Sequence, residues 1–572
     1  MRLKILRLII TGLFILIALV LVYLQAIQGP YYFTLSKNNR IRVVEGEARR
    51  GRVFDRNGLV LADNQLSFEV MVVPQDVISN EELFSFLSQV LETDKMDLWR
   101  SFKRKTVTTF APVLVARDVS VNKAIMLEEN KFRFPGLIIH VGSKRHYPYP
   151  NVNAHVIGYV GKVNQSELKA LENYGYAVQN LIGKAGVEEY YDSYLKGEPG
   201  GLQVEVNNRG EQSRLLSFKE PVKGQDITLT IDNRIQMVAA ELLQGRRAAV
   251  VVMGLDKGDI LAMVSAPSFD PNLFIEGDPK ITEIFSDAQA PLLNRAVNGQ
   301  FPPGSVFKVI MAITALENKK IQAQTTFDCP GFLTLGDREF RCSHVHGHQN
   351  LTEAIAHSCN VYFFHTGLLL DPMSIHKYAR MFGLGTITGV DLPHEVRGFV
   401  PDGKQSKTTL ARRGRRFSKG DLLNLSIGQG DVLATPIQLT RMIAMVANDG
   451  REIQPHLVKA IGTKEVTYEH PWHTLPVEKR SFEIVQAGLK AAVGDYAGTA
   501  HSLETNGLTI LGKTGTAQSS GNKPNHAWFA GFIPTAKTPV AFCVFLEYGG
   551  SSANACEVAR ELIAAMQREN IL

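Results

Sequence analysis

Cysteine is scarce in this 572-residue chain, which has only 5 cysteines. Because the number is small and is not even, a dense disulfide framework is not expected. A large excess of one charge is lacking as well: charged residues make up an ordinary 21% of the chain, and the formal net charge of +6 is spread along it rather than massed in one block. The sequence therefore gives no indication of nucleic-acid binding. Internal repeats and low-complexity tracts are absent, and the length predicts several globular domains.

Long apolar runs are absent too, except for one at the N-terminus. Arg2, Lys4 and Arg7 precede an uncharged, mostly apolar run over residues 8–27. A helix of about 20 residues spans roughly 30 Å of hydrocarbon, whereas the apolar part of a cleavable signal covers about 7–15 residues. A cleaved signal peptide is the alternative, but no small-x-small cleavage site follows the run. The positive-inside rule then keeps residues 1–7 in the cytoplasm and exports the remainder.

The character of the chain changes near residue 226. Before it, Asn57-Gly58 predicts a hairpin turn, and short apolar runs alternate with charged helical segments over about 70–141. After it, the apolar patterns predict a sheet closed by a terminal helix at 554–570. The predicted strands of this sheet are 227–231, 248–253, 508–512, 527–533 and 540–548. The fold class is therefore α+β and multidomain.

Ser305 and Lys308 are the strongest candidates for catalytic residues. They stand three residues apart at the start of a predicted helix over 305–319, so both side chains share one face and the amine can take the hydroxyl proton. This requires some neutral amine near pH 7, which burial and nearby positive potential supply by lowering the lysine pKa. The same spacing also fits an N-cap serine followed by a surface lysine, since it occurs six times in the chain. The preceding Pro302-Pro303-Gly304 and two later motifs distinguish this occurrence.

The first later motif is Ser358-Cys359-Asn360. A hydroxyl and an amide two residues apart do not share a helix face. We therefore expect the helix that opens at Leu351 to end or become irregular at this motif. The Ser-x-Asn pattern alone means little, because it recurs elsewhere in the chain.

The second later motif is Lys513-Thr514-Gly515-Thr516. Its first three residues, Lys-Thr-Gly, occur in this order only once in the chain. We expect it at the end of an apolar strand, where the glycine lets a substrate backbone lie close. The lysine and the threonine hydroxyls can then bind a carboxylate. A turn after a strand is the alternative for this motif alone, but the order of all three motifs favours an active site.

The three motifs in this order resemble the penicillin-binding and serine β-lactamase superfamily. The apolar run, the Arg-Gly-Arg-Val-Phe-Asp-Arg-Asn-Gly element at 50–58, the Gly-x-x-Gly-Val-Glu segment at 183–188 and the domain order are similar to class B penicillin-binding proteins over nearly the whole chain. Phe301-Pro-Pro-Gly-Ser and the stretch 329–348 are most similar to the elongation branch of that class. The resemblance implies an N-terminal pedestal over 28–225, with a head at about 70–141, and a transpeptidase domain over 226–572. It also implies the bacterial inner membrane, with the catalytic domain outside the cytoplasm.

The resemblance also implies roles for the motif residues. Ser305 would be the nucleophile, Lys308 its base and Ser358 a proton relay to the leaving amine. Asn360 would hold the substrate amide. The terminal carboxylate would be bound by Lys513, Thr514 and Thr516, and Gly515 would let the substrate backbone lie close. Backbone amides of Ser305 and Thr516 would form the oxyanion hole.

Such an enzyme cross-links stem peptides that end in D-Ala-D-Ala, needs no cofactor for catalysis and is acylated by β-lactams. The resemblance implies elongation-complex partners, including a RodA-type glycan polymerase, because the chain has no glycosyltransferase domain. The sequence does not identify the acceptor amine, although a Gram-negative meso-diaminopimelate wall is our expectation.

A second group combines three thiols and an imidazole within 31 residues: Cys329, Cys342, His346 and Cys359. This donor set is typical of structural zinc. Because Cys359 stands between Ser358 and Asn360, its side chain can point behind the site while theirs point in. His344 and His348 are competing ligands, and similar proteins place a metal or polar cluster in this region. A disulfide between the first two cysteines, or plain buried thiols, are the alternatives.

Rival functions share these motifs. Class A β-lactamases deacylate with a Glu-x-x-Leu-Asn element, but the nearest match, 420–424, has Gly420 where the glutamate would stand. A D,D-carboxypeptidase needs no long N-terminal module. A β-lactam sensor would need a signalling domain, for which we expect no room before Leu8. A septal transpeptidase of class B is the remaining alternative.

Overall fold

The computed structural model describes residues 2–29, 41–46, 48–106, 112–164, 181–206, 212–403, 417–468, 473–505, 507–519 and 521–572. The chain divides into two compact units. The first comprises residues 1–51, 64–144 and 196–224. The second comprises residues 52–63, 145–195 and 225–572.

The α-helices of the described residues are α1 Arg2–Val22, α2 Asn80–Leu91, α3 Lys95–Lys105, α4 Val121–Glu129, α5 Pro150–Ile157, α6 Gly186–Tyr190, α7 Asp192–Leu195, α8 Asn233–Leu242 and α9 Asn272–Glu276. They continue with α10 Lys280–Ser286, α11 Lys308–Glu317, α12 Leu351–Ala356, α13 Asn360–Leu368, α14 Pro372–Met381, α15 Lys419–Ser426, α16 Pro436–Ala447, α17 Lys479–Gly494 and α18 Ser552–Arg568.

The described strands before residue 230 are β1 Ile41–Gly46, β2 Val53–Phe54, β3 Val60–Val72, β4 Val113–Val119, β5 Leu137–His146, β6 Val160–Lys162, β7 Leu181–Gly183, β8 Gly200–Val206, β9 Gln212–Lys219 and β10 Ile227–Leu229. Those after it are β11 Ala248–Gly254, β12 Ile260–Ala266, β13 Phe327–Cys329, β14 Phe332–Leu335, β15 Arg338–Arg341, β16 Gly347–Gln349, β17 Val458–Ile461, β18 Lys464–Glu465, β19 Leu511–Ala517, β20 His526–Ile533 and β21 Val540–Leu546.

The N-terminal apolar run is helical. A helix over Lys4–Ile27 is long and apolar enough to cross a membrane, and none of its most apolar stretch is buried against other parts of the described chain. The predicted helix is confirmed. Its length and composition are consistent with a single membrane anchor.

The first unit contains an antiparallel sheet of β1, β8 and β9, and a second group in which β3 pairs with β4 and β5. Helices α2 to α4 supply apolar side chains such as Leu83, Leu87 and Leu127 to one core beneath β3 and β4. Ser79 Oγ accepts from the amide of Glu82 and so caps the first turn of α2.

The predicted hairpin around Asn57-Gly58 is present in the second unit. Strand β2 pairs antiparallel with the start of β3. Asp55 Oδ1 accepts from the amides of Asn57 and Leu59, each at 2.8 Å, and Gly58 has φ +87°. The side-chain oxygen thus replaces a backbone acceptor, and the positive φ explains the glycine.

The main sheet of the second unit is antiparallel, with strand order β12-β11-β21-β20-β19. Helices cover both faces, so every residue of β11 and β21 is buried. Val250 and Val252 face a core shared with α18, whereas Val251 faces the core that contains α11 and α16. The predicted sheet with a terminal helix is confirmed, and β19 is an edge strand among the described strands. The expected strand over 227–231 was wrongly placed in this sheet, because β10 pairs with β2 and β17 in another sheet of the second unit.

A buried ion pair lies under the Gly-rich segment of the second unit. Arg145 Nε donates to Glu188 Oε1 at 2.7 Å, and the Tyr147 hydroxyl donates to the same oxygen at 3.3 Å. The Arg145 and Glu188 side chains are 1% and 0% exposed. Burial removes both charged groups from bulk solvent, so their ion pair stabilises each of them.

We expect Glu188→Ala to lower the free energy of unfolding by about 3–5 kcal/mol, because a buried arginine would lose the carboxylate that accepts from its Nε. Denaturant unfolding of the detergent-solubilised chain measures this. Glu561→Ala is the matched control, since its ion pair with Arg560 is half-exposed and should contribute less than about 1 kcal/mol. Equal losses in both variants would contradict the assignment.

Candidate active site

Ser305 lies in a 3-10 turn rather than at the start of an α-helix. The turn covers Gly304–Phe307, and α11 begins at Lys308, so the predicted helix over 305–319 was wrong in its first turn. Gly304 has φ +55°, and a Cβ built on it would lie 2.8 Å from the carbonyl oxygen of Thr516. Because the turn packs this tightly on strand β19, a side chain at 304 would not fit.

Two contacts fix the turn from outside. Trp528 Nε1 donates to the carbonyl oxygen of Pro302 at 3.0 Å, and the Gly304 amide donates to the carbonyl oxygen of Gly428 at 2.9 Å. The Trp528 side chain is wholly buried on β20. The nucleophile candidate is therefore held against the sheet by its own flanking residues.

The Lys308 side chain is fully buried and contacts the Ser-x-Asn motif. Its Nζ donates to the Ser358 carbonyl oxygen at 2.7 Å, to Ser358 Oγ at 3.3 Å and to Asn360 Oδ1 at 2.7 Å. Within the described chain, no hydrogen bond joins Nζ to the Ser305 hydroxyl. Burial lowers the pKa of Lys308 from 10.5 to about 8, although negative charge on the nearby Cys342 thiol opposes this.

The Ser-x-Asn motif interrupts a helix, as predicted. Helix α12 ends at Ala356, Ser358 has φ +56°, and α13 begins at Asn360. A positive φ is costly for serine and persists only where surrounding contacts impose it. The break lets Ser358 and Asn360 reach the same lysine, while Cys359 is buried behind them.

The Lys-Thr-Gly motif lies inside strand β19, not at the end of a strand. Lys513 pairs with Ala530 and Thr516 with Ala527 of β20. The expected strand over 508–512 was therefore placed too early, because the ladder with an apolar partner strand holds these polar residues in the sheet. A Cβ on Gly515 would lie 2.9 Å from the Pro303 carbonyl oxygen, so close packing of the serine turn requires this glycine.

Side chains of β19 divide between the cleft and the interior. Thr514 and Thr516 line the cleft, whereas Lys513 is fully buried, with Nζ donating to the Thr514 carbonyl oxygen at 3.3 Å. Burial lowers the pKa of Lys513 well below 10.5, and the neighbouring Lys308 adds to this effect. The two buried amines therefore compete for protonation.

The cleft has a volume of about 820 Å³. It joins the serine turn, the Ser-x-Asn turn and β19, and its lining includes Ser305, Ser358, Asn360, Thr514 and Thr516. Lys308 lies beneath these five residues. The fold thus brings together residues that are up to about 200 positions apart in sequence.

Sequence reasoning missed three neutral side chains that line the same cleft. Gln429 Nε2 donates to the Thr516 carbonyl oxygen at 3.2 Å, and its Oε1 accepts from the Gln518 amide at 3.2 Å. Thr514 Oγ1 donates to Thr499 Oγ1 at 2.9 Å, and Asn424 also lines the cleft. The glycines on either side of Gln429 could have indicated a tight turn at a functional site. No sequence feature near Thr499 indicated that it lines the cleft.

The thiol and imidazole group converges as predicted. The ligand atoms of Cys329, Cys342, His346 and Cys359 all lie within 4.8 Å of one another. His346 Nδ1 is 3.5 Å from both the Cys329 and the Cys342 sulfur, and the Cys342 and Cys359 sulfurs are 4.0 Å apart. A zinc tetrahedron has edges of about 3.6–3.8 Å with these ligand types, so the residues fit a metal ion.

The chemistry of this group also favours a negative sulfur at Cys342. The Asn360 amide donates to the Cys342 sulfur at 3.1 Å, and the Cys359 sulfur lies 4.0 Å from it. The contact with Cys359 is the main cause of the lowered pKa of Cys342. All five cysteines have free thiols. Neither His344 nor His348 belongs to the group of ligand atoms.

Comparison with known proteins gives two family matches. Residues 45–229 match the model described as penicillin-binding protein dimerisation domain. Residues 248–564, more than half of the chain, match the penicillin-binding protein transpeptidase domain. The cleft lies within the second match.

Similar proteins cover nearly the whole chain. The peptidoglycan D,D-transpeptidase MrdA of Acinetobacter baumannii is 36% identical, over 96% of this chain and 85% of that protein. A solved structure of Helicobacter pylori penicillin-binding protein PBP2 in complex with MreC has a TM-score of 0.83 at 29% identity, and the match covers 93% of this chain and 99% of that one. A chain from a peptidoglycan synthase complex, described for its coordination of polymerisation and cross-linking, has a TM-score of 0.71 at 31% identity, covering 99% and 98%.

Proposed function

Because this chain belongs to the class B penicillin-binding proteins and is most similar to their PBP2 and MrdA members, we propose that its cleft cross-links peptidoglycan during cell elongation. The enzyme is a serine D,D-transpeptidase. The observation that carries the site assignment is the contact of one buried lysine with both partner residues of the Ser-x-Asn motif, next to the turn that holds Ser305. The relatives named MrdA favour the elongation enzyme over the division enzyme.

In the first half-reaction, neutral Lys308 takes the proton of the Ser305 hydroxyl, and Oγ attacks the carbonyl carbon of the penultimate D-Ala. Backbone amides of Ser305 and Thr516 stabilise the oxyanion. Proximity supports this pairing, since a Cβ on Gly304 would lie 3.2 Å from the Thr516 nitrogen. The C–N bond then breaks, and Ser358 passes the proton to the leaving amine of the terminal D-Ala.

The donor peptide binds along β19. This strand is an edge of the sheet within the described chain, so an extended peptide can add to it by backbone hydrogen bonds. Thr514 and Thr516 hydroxyls contact the terminal carboxylate, and Lys513 supports it with positive charge from below. Asn360 orients the substrate amide through its Nδ2, because its Oδ1 is engaged by Lys308.

In the second half-reaction, the amine of a neighbouring stem peptide attacks the acyl carbon. The new C–N bond forms, the bond to Ser305 Oγ breaks, and the amine proton returns to that oxygen through the same relay. A β-lactam also acylates Ser305, but the amine released from its ring stays covalently attached to the acyl group. The enzyme therefore stalls at the acyl stage.

Product analysis tests this function. The purified chain is incubated with lipid-linked precursor and a glycan polymerase, and the muropeptides are separated. We expect cross-linked dimers. Only trimmed stem peptides would identify a D,D-carboxypeptidase instead, and unchanged pentapeptides would exclude both.

The pH dependence of acylation follows from the Lys308 pKa of about 8. The active base is the neutral amine, so the rate rises about tenfold per pH unit below 8 and levels off above it. The measurement is the second-order rate constant for a fluorescent penicillin between about pH 6 and pH 9. A rate independent of pH over this range would contradict the base assignment.

We also propose that the cluster of three thiols and one imidazole holds a structural zinc ion. Zinc would supply a fixed crosslink between the segment that carries Cys329 and Cys342 and the turn that carries Cys359. Because Cys359 stands between Ser358 and Asn360, the crosslink holds both cleft residues at the break in the helix. Catalysis itself requires no cofactor in this proposal.

Metal analysis of the purified chain should find one zinc per chain, and Cys342→Ser should lose it and unfold at a lower temperature. Cys556→Ala is the matched control, because that thiol is buried in α18 outside the cluster. Absence of zinc together with the loss of two titratable thiols would favour a Cys329–Cys342 disulfide and contradict the metal site.

The remaining organisation is proposed from the sequence. Residues 1–7 lie in the cytoplasm, 8–27 span the cytoplasmic membrane, 28–225 form the pedestal with a head at about 70–141, and 226–572 form the transpeptidase domain outside the cytoplasm. A RodA-type polymerase supplies the glycan strands. Co-purification tests this partner, and pairing with the division polymerase would contradict the elongation role.

A further inference from the structure

One hairpin carries the arginine and glutamate side chains that line the described part of the cleft. Among the described residues that line the cleft, the side chains of lysine, arginine, aspartate and glutamate type are those of Arg338, Glu339 and Arg341. All three belong to β15, which pairs antiparallel with β14. By contrast, β19 contributes the neutral Thr514 and Thr516. A ligand therefore meets neutral hydroxyls on the strand and charges of both signs on the hairpin.

The hairpin is anchored to the catalytic turn. Asn360 Nδ2 donates to the Arg341 carbonyl oxygen at 3.2 Å, and the Asn360 amide donates to the Cys342 sulfur at 3.1 Å. Phe340 is buried, with its ring 5.8 Å from that of Phe364 in an edge-to-face arrangement. The charges on β15 thus have a fixed position beside the Ser-x-Asn residues.

Glu339 and Arg341 present opposite charges on one face of β15. They are two residues apart, and Phe340 between them points to the other face. Arg341 Nη2 and Glu339 Oε2 are 3.5 Å apart, and the two side chains are 81% and 50% exposed. An ion pair this exposed contributes little to stability, so both groups are available to a ligand.

We propose that Glu339 and Arg341 select the acceptor peptide by an amino-acid end that carries an ammonium group and a carboxylate on one carbon. The arginine fork binds the carboxylate, and the glutamate attracts the ammonium form before it loses its proton. This inference rests on the proposed transpeptidase function and names the acceptor class of the same site.

The position of the hairpin favours the acceptor over the donor. The terminal carboxylate of the donor is assigned to Thr514 and Thr516 on β19. The departing and the incoming amine use the same proton relay in opposite directions, so both pass Ser358. Ser358 belongs to the turn whose Asn360 contacts the hairpin, which places the two charges where the second amine arrives.

The test uses two acceptor probes with the same donor. One is a stem tripeptide whose third residue is meso-diaminopimelate, with a carboxylate beside the free amine. The other has lysine at that position, with the amine alone. The readout is cross-linked product formed per acyl-enzyme, with the penicillin acylation rate measured in parallel to normalise each variant.

We expect the wild-type chain to prefer the diaminopimelate probe about tenfold, as a charge-assisted carboxylate contact allows. Arg341→Gln should reduce the preference to near unity, and Arg341→Lys should restore part of it. Glu339→Gln should weaken capture of both probes at low pH, where the amines are protonated. Arg560→Gln is the matched control, because Arg560 lies on α18 outside the cleft and should leave the preference unchanged.

If the wild type and Arg341→Gln prefer the diaminopimelate probe to the same extent, this inference is wrong and the transpeptidase proposal is unaffected. A fall in acylation by stem peptide as large as the fall in capture would also overturn it, since the hairpin would then bind the donor. A wild-type chain that is acylated but captures neither probe would overturn the transpeptidase proposal and this inference with it.

Discussion

Replacement of Ser305 by alanine should abolish covalent labelling of the chain by a fluorescent penicillin. The labelled bond is the ester to Ser305 Oγ, and no acyl-enzyme can form without it. The substitution removes one half-buried hydroxyl in a turn that is held by Pro302 and Gly304, so the fold should persist. In-gel fluorescence after incubation with the probe measures the loss.

Ser374→Ala is the matched control for this experiment. Ser374 and Lys377 repeat the same Ser-x-x-Lys spacing on helix α14, away from the cleft lining. Full labelling is expected for this variant. Persistent labelling of Ser305→Ala would mean that another residue is the nucleophile, and the assignment of the cleft would be wrong.

Replacement of Lys308 by methionine should lower the acylation rate by about 10²–10⁴-fold, the usual contribution of a general base. Methionine fills a similar volume in this fully buried position and removes a charge that burial disfavours. Stopped-flow or quenched labelling gives the rate. The slope of rate against pH below 8 should disappear together with the activity.

The control for this variant is Lys320→Met, which changes an exposed lysine just after the same helix. Its acylation rate should match the wild type. Because Lys308 also anchors Ser358 and Asn360, thermal unfolding is measured in parallel. A near-normal rate for a folded Lys308→Met would contradict its role as the base.

The sequence indicated which residues could form a site, and the structure brings those of the three motifs together at one cleft. Ser305 and Lys308 stood out as candidates because a Pro-Pro-Gly segment and two ordered motifs accompany them. The interruption at Ser358 was predictable from helix geometry alone, since positions two apart cannot share a face. The cluster of Cys329, Cys342, His346 and Cys359 followed from donor type and short spacing, and the structure brings those four ligand atoms together.

The features that depend on tertiary contacts could not be predicted. Polar residues such as Lys513 and Thr514 resemble a turn in sequence, but their ladder with β20 keeps them inside a strand. The 3-10 turn at Ser305 reflects packing of Gly304 on the Thr516 backbone, a contact across more than 200 residues. Gln429 and Thr499 reach the cleft through such long-range packing as well.

The most direct measurement of the central claim is the mass of the chain during turnover. The solubilised enzyme is mixed with uncross-linked glycan, quenched and digested, and the peptide that contains Ser305 is analysed by mass spectrometry. We predict a stem-peptide adduct on Ser305 that disappears when an acceptor amine is added, as cross-linked dimer accumulates in equal amount. An adduct on any other residue, or one released only as trimmed stem peptide, would contradict the account.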